Sequence, residues 1–100
     1  MKAKPLLRKK LTDEDGDLME LVVWQVPQDS RHPEGVRYRM AFILRGHEKP
    51  AVLYDNHHPK GHHRHIGGLE EPYEFSGVRE LILDFEKDVA VCKKIRRETR

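Results

Sequence analysis

The segment VRYRMAFILR, Val36 to Arg45, decides the fold. Val36, Tyr38, Met40, Phe42 and Leu44 share one parity, while Arg37, Arg39 and Arg45 lie on the other with Ala41 and Ile43. A strand turns successive side chains to opposite faces. Period two therefore sends the first set into a core and the arginines to the opposite side of a sheet. Working outward, LMELVVWQV (Leu18 to Val26) is β-branched and apolar on both parities, as a central strand is, and Pro27 stops it. Upstream, Leu7 and Leu11 alternate with charges in a half-exposed edge strand, and DEDGD (Asp13 to Asp17) is a turn in which Gly16 is free to take positive φ. Downstream, GHEKP turns the chain and AVLYD, Ala51 to Asp55, reads as a fourth strand.

From Ser76 the period changes. Val78, Leu81, Ile82, Phe85, Val89 and Cys92 step by three and four and form one stripe of a helix about five turns long. Ser76 reads as its N-cap, with Glu80 and Asp84 early and Lys93, Lys94 and Arg96 late, as the helix dipole prefers. Trp24, Phe42, Leu81 and Phe85 are expected to fill the core. Tyr73 and Phe75 should anchor the chain's return to the sheet, and Cys92 reads as a small buried hydrophobe. The expected class is α+β: a four-stranded antiparallel β-meander with one long C-terminal helix packed on one face. One domain, 1–100, would hold a meander over about 5–56, a histidine-rich loop over 56–75 and a helix over about 77–95.

With 37% hydrophobic and 36% charged residues in 100, the chain is polar but carries too many periodic apolar runs to be disordered. Cys92 is the single cysteine, which excludes an intrachain disulfide and a cysteine-based zinc site and favours a reducing compartment. The basic start, MKAKPLLRKKL, has no signal-peptide apolar region and no run has the length of a membrane span. The expected location is cytoplasmic, with no membrane partner. Net charge is only +2, but it is segregated. Lys2, Lys4, Arg8, Lys9 and Lys10 crowd one end, Lys93, Lys94, Arg96, Arg97 and Arg100 the other, and acids fill Asp13 to Asp17 and Glu70 to Glu74. Such a pattern fits a basic patch on a nearly neutral protein, or equally two solvated tails.

YDNHHPKGHHRHIGG, Tyr54 to Gly68, holds five of the seven histidines: His57, His58, His62, His63 and His65. Three readings are open on residue types alone. In extended geometry His63 and His65 point to the same side and could ligate a metal, with His57, His58, His62 or Asp55 as a third ligand. The spacing matches no ordered zinc motif, and Lys60 and Arg64 oppose a divalent cation. A second reading is metal-free cleavage of RNA. Two imidazoles near pKa ~6.5 exchange the 2′-hydroxyl and leaving-group protons, while Arg and Lys brace the charge on phosphorus. The third is a solvated polar loop in which nothing reacts.

The run YDN, then KGHHRHI, then EEPYEF, then a helix containing LILDFEKDV resembles the TumE family, small bacterial proteins described as toxin components of type II toxin–antitoxin pairs. A looser likeness runs upstream through VVWQVP and the strand at Tyr38 and Arg39. The resemblance implies core polar positions at Tyr54, Asp55, Asn56, Lys60, Gly61, His63, Arg64 and His65. It departs at His62, where an acid is expected, and in the spacer His57-His58-Pro59, where acidic and basic residues are expected. It further implies a toxin acting on RNA or the translation machinery, neutralised by a cognate antitoxin that carries a helix-turn-helix. The combined reading is a metal-independent endoribonuclease without cofactor. His63 and His65 form its acid–base pair, Lys60 and Arg64 its electrophilic helpers, and Asp55 an orienter in place of the missing acid. Arg37, Arg39, Asn56 and Tyr54 would contact RNA, with Tyr54 equally readable as a core aromatic. The alternatives are a non-enzymatic RNA- or protein-binding module and a metal-dependent hydrolase.

Overall fold

The structure is a computed structural model that describes residues 3–98; Lys2 and Arg100 of the terminal basic runs lie outside the described residues. Six strands precede the helix: β1 (Lys4–Thr12), β2 (Leu18–Gln25), β3 (Val36–Ile43), β4 (Val52–Asp55), β5 (His63–Ile66) and β6 (Leu69–Pro72), then α1 (Val78–Glu98). They form one antiparallel sheet in chain order, with β1 and β6 at its edges.

The α+β class and the C-terminal helix on one face are as the sequence indicates, but the sheet has six strands, not four. The two extra strands come from the stretch read as a loop over 56–75. Gly67 and Gly68, at φ 60° and 102°, make the two-residue turn that folds β6 back on β5. Neither strand carries an apolar face that would announce it: Leu69–Pro72 is exposed throughout, at the sheet's edge.

The alternation in β3 does its expected work. Val36, Tyr38, Met40 and Phe42 are buried, joined by Leu21 and Val23 of β2, Val52 and Tyr54 of β4, and Leu81, Phe85 and Val89 of the helix. Phe85 meets Tyr54 edge-on with ring centroids 5.7 Å apart. The helix starts one residue later than the sequence indicates, because Gly77, not Ser76, accepts the first helical hydrogen bond, from the Leu81 amide at 3.0 Å. Trp24 is a correction to the expected core. Register pairs it with Arg37, so it lies on the face away from the helix and is only half-buried. β2 is apolar on both parities, yet one helix covers one face only.

The charged ends of the sequence meet each other. Lys93 Nζ sits 2.6, 2.7 and 2.9 Å from carboxylate oxygens of Asp13, Asp15 and Asp17. Arg96 donates to Asp17 at 2.7 Å, and the Arg45 amide donates to the same carboxylate at 2.9 Å. Asp17 is 1% exposed. The C-terminal cations nearest the sheet therefore form neither a basic patch nor a solvated tail; they clamp the helix to the β1–β2 turn. Gly16 permits that turn, at φ 82°, where a Cβ would also lie 2.6 Å from Arg45 Cδ.

This cluster links stability to pH at both ends. The Asp17 carboxyl is held far below the usual carboxylate range, chiefly by the hydrogen bond from Arg96, against burial that works the other way. Asp13 and Asp15 are lowered first by their hydrogen bonds from Lys93. A depressed acid contributes stability above its unfolded pKa of ~3.9 and loses it as pH falls below that value. Burial disfavours the Lys93 ammonium, but hydrogen bonds to Asp13, Asp15 and Asp17 outweigh it and raise the pKa. Its contribution is present below ~10.4 and is lost as pH rises past that value. Denaturant titrations of Asp17→Asn across pH should show a loss of roughly 3 kcal/mol at neutral pH and a flattened acid limb below pH ~4. An acid limb as steep as that of the wild type would show that Asp17 is not its source.

Candidate active site on the open sheet face

Strand pairing lays polar side chains in adjoining rows across the face that the helix leaves open. Arg39 of β3 stands opposite Asp55 of β4, Asp55 opposite His63 of β5, and His65 opposite Glu70 of β6. The rows are close-knit at their centre. His63 Nε2 lies 2.8 Å from Asp55 Oδ1, and its Nδ1 donates to the Gly61 carbonyl at 2.8 Å. With a proton on Nδ1 and an acceptor before Nε2, the ring donates on both sides when it carries its second proton. His65 packs edge-on against it, centroids 5.1 Å apart. The two rings differ in access: the His63 side chain is 8% exposed and that of His65 31%.

Glu70 completes the group. Its Oε1 lies 3.8 Å from Nε2 of both His63 and His65 and accepts from Lys60 Nζ at 2.8 Å. The hydrogen bond from Lys60 keeps the Glu70 carboxyl below its ordinary range. Sequence reasoning missed Glu70 as a site residue, although a signal was there. A two-residue turn at Gly67-Gly68 fixes Ile66 against Leu69 and so His65 against Glu70. One donor atom each from His63, His65 and Glu70 lies within 4.8 Å of the others, a ligand set of the type that holds zinc. The acids Asp13, Asp15 and Asp17 are similarly close, but the Lys93 ammonium sits among them.

The structure thus brings together His63, His65, Asp55 and Lys60, with Arg37 and Arg39 on the same open face. It does not bring Arg64 or Tyr54 there, while Asn56 lies largely buried at the edge of a recess it shares with Arg37, Arg39 and Asp55. One residue out of phase with its histidine neighbours, Arg64 faces the helix. It donates to Glu71 and, at 3.1 Å each, to Tyr54 Oη and Asp88. Its expected part beside the histidines is corrected by that alternation. Tyr54 is fully buried, and its hydroxyl donates to Asp88; of its two readings, the core aromatic holds. Burial, ahead of that hydrogen bond, pushes the Tyr54 phenol well above its ordinary range. Asn56 is 3% exposed and extends the sheet's own bonding, accepting from the Tyr38 amide at 2.9 Å and donating to the Val36 carbonyl at 2.8 Å.

The departures from the family pattern also find their places. His62 stacks on Phe75 at 4.7 Å, and its ring nitrogens meet Tyr38 Oη at 2.8 Å and Glu34 at 2.9 Å. The side chain at this position turns away from His63 and His65, so an acid missing from it leaves Asp55 and Glu70 as the carboxylates at the pair. His57 and His58 are exposed. Cys92 is half-buried on the helix stripe, and burial raises its thiol, as a packing role requires.

Among the described residues no helix is long and apolar enough to cross a membrane. Comparison with curated proteins and with solved structures finds no match. The family model Toxin TumE matches residues 2–92. That span contains the Tyr54-Asp55-Asn56 end of β4, the Lys60 to Ile66 approach through β5, the Pro72-Tyr73 exit from β6 and most of the helix that packs behind them. By a match that runs from the first strand into the last turns of the helix, the chain belongs to the Toxin TumE family.

Proposed function

We propose that this toxin, whose family implies a cognate antitoxin, cuts RNA without a metal through the histidine pair on its open sheet face. The carrying observation is the single cluster of His63, His65, Asp55 and Lys60 on one accessible surface. In this reading His65, the more exposed ring, takes the 2′-hydroxyl proton. The 2′ oxygen then forms its bond to phosphorus, and the bond from phosphorus to the 5′ oxygen breaks. His63, held at Nδ1 by the Gly61 carbonyl and aimed by Asp55, gives its Nε2 proton to that leaving oxygen as the oxygen takes the place of Asp55 before that nitrogen. The products are a 2′,3′-cyclic phosphate and a 5′-hydroxyl. Lys60, released from Glu70 when a phosphate approaches, stabilises the charge on phosphorus, and Arg37 and Arg39 hold neighbouring phosphates. Arg64 acts at a distance, tying β5 to the helix so that His63 and His65 keep their angle.

A second reading has one observation in its favour, the closeness of His63, His65 and Glu70 donor atoms. There a divalent ion would replace Lys60 beside Glu70 and activate water. Metal analysis of protein purified without a tag separates the two. Stoichiometric zinc or another divalent ion, with activity lost on chelation and restored by that ion, would replace the metal-free mechanism.

For the metal-free mechanism, His65→Ala should lower RNA cleavage by ~10²-fold or more, and chelation should leave the wild-type rate unchanged. End-group analysis should find cyclic phosphates. If His65→Ala cuts at the wild-type rate, His65 is not the proton acceptor. Growth arrest that survives His63→Ala/His65→Ala without RNA breakdown would point to toxicity by binding alone.

A further inference from the structure

Trp24 is the chain's only tryptophan, and it is half-buried on an open sheet face with no strand or helix packed over it among the described residues. It forms one wall of a recess of about 430 Å³ whose other linings include Val22, Arg37 and Arg39. The same two arginines line a second recess, of about 220 Å³, shared with Asp55 and His57. That second recess reaches the carboxylate that meets His63 at 2.8 Å. The two recesses therefore share Arg37 and Arg39, and the second is joined to the histidine pair through Asp55.

The charges on this path differ from those elsewhere in the fold. Lys60, Arg64 and Lys93 are each engaged by carboxylates. Neither Arg37 nor Arg39 has an ion-pair partner among the described residues, although Arg39 stands opposite Asp55. Register adds Arg8 and Lys10 of β1 to the same face, paired with Val22 and Glu20. A flat aromatic with unpaired cations on either side suits a ligand that alternates π-faces with negative charges. That is the chemistry of single-stranded nucleic acid, whose bases stack on aromatic side chains while its backbone follows a basic groove. A duplex hides its base faces, and an acidic peptide has charge but no repeating π-faces.

We propose that Trp24 is a base-stacking subsite for single-stranded RNA, with Arg37 and Arg39 holding the phosphates between it and the histidine pair. The inference rests on the RNA-cutting reading and names its substrate class: an unpaired strand, gripped at a base roughly three strand spacings, or ~14 Å, from β5. Stacking is tolerant of base identity, so the subsite gives affinity and register along the strand with little sequence preference.

The sole tryptophan makes the test direct. A fluorescein-labelled single-stranded oligoribonucleotide is titrated into the full chain carrying His65→Ala, reading indole emission and anisotropy together, while wild-type protein is assayed for cleavage of the same strand. Saturation should quench Trp24. Trp24→Ala should weaken binding roughly 5- to 150-fold, and Trp24→Phe should retain most of the affinity. Arg37→Ala/Arg39→Ala should also weaken binding and flatten its salt dependence. Circular dichroism confirms that each variant is folded, and Trp24→Phe preserves an aromatic if Trp24→Ala does not fold. Unchanged emission at saturation, wild-type affinity in Trp24→Ala, or equal binding of the matching duplex would each overturn the subsite. Quenching without cleavage keeps the subsite and discards the nuclease reading; cleavage with unchanged emission and unchanged affinity does the reverse.

Discussion

One helix cannot cover two faces of a sheet, and that limit organises this molecule. Leu81, Phe85 and Val89 seal the side bearing Met40, Phe42, Val52 and Tyr54, all of which are fully buried. The other side carries Trp24, Arg37, Arg39, Asp55, His63 and His65, with no helix above it among the described residues. Alternation along each strand then sorts chemistry from packing at single-residue resolution. His63 and His65 face out and Arg64 faces in, so a run of consecutive polar residues splits into an outward-facing pair and a brace.

The brace is extensive. Arg64, Tyr54, Asp88 and Glu71 link β5, β4, β6 and the helix through hydrogen bonds on the covered side, and the Tyr73 hydroxyl adds a 2.6 Å bond to Asp84. Toward the C-terminal end of the helix, Lys93 and Arg96 are held by the acids of the β1–β2 turn. The middle of the helix is thus fixed to the sheet by packing and by the Arg64–Asp88 ion pair, and its C-terminal turns by charge. A short, otherwise marginal hairpin, β5–β6, gains its position from this arrangement instead of from a hydrophobic face of its own.

Site residues are consequently supported from behind. His63 is anchored twice, by Asp55 and by the Gly61 carbonyl, whereas His65 is left freer and more exposed. Rigid placement of one ring and access to the other suit the proton exchange proposed for this pair. Lys60 and Glu70 form an ion pair beside them.

The sequence by itself determined the parts that depend on local period. Val36 to Phe42 had to be a one-sided strand, Val78 to Cys92 a helix with one apolar stripe, and Arg37 and Arg39 had to share a face away from the core. Family membership was legible in the YDN, KGHHRHI and EEPYEF runs, because these are contiguous strings. Register and coverage were left to the tertiary structure. Trp24 looked like core because its strand is apolar on both parities, and only the presence of a single helix shows which parity is sealed. Leu69 to Pro72 gave no strand signal, since a polar edge strand is held by backbone hydrogen bonds that leave no mark on composition. Glu70 joined the histidines, and the terminal cations met Asp13 to Asp17, for the same reason. Those contacts form between residues distant along the chain or across a turn, and they exist only once the sheet has fixed its pairing.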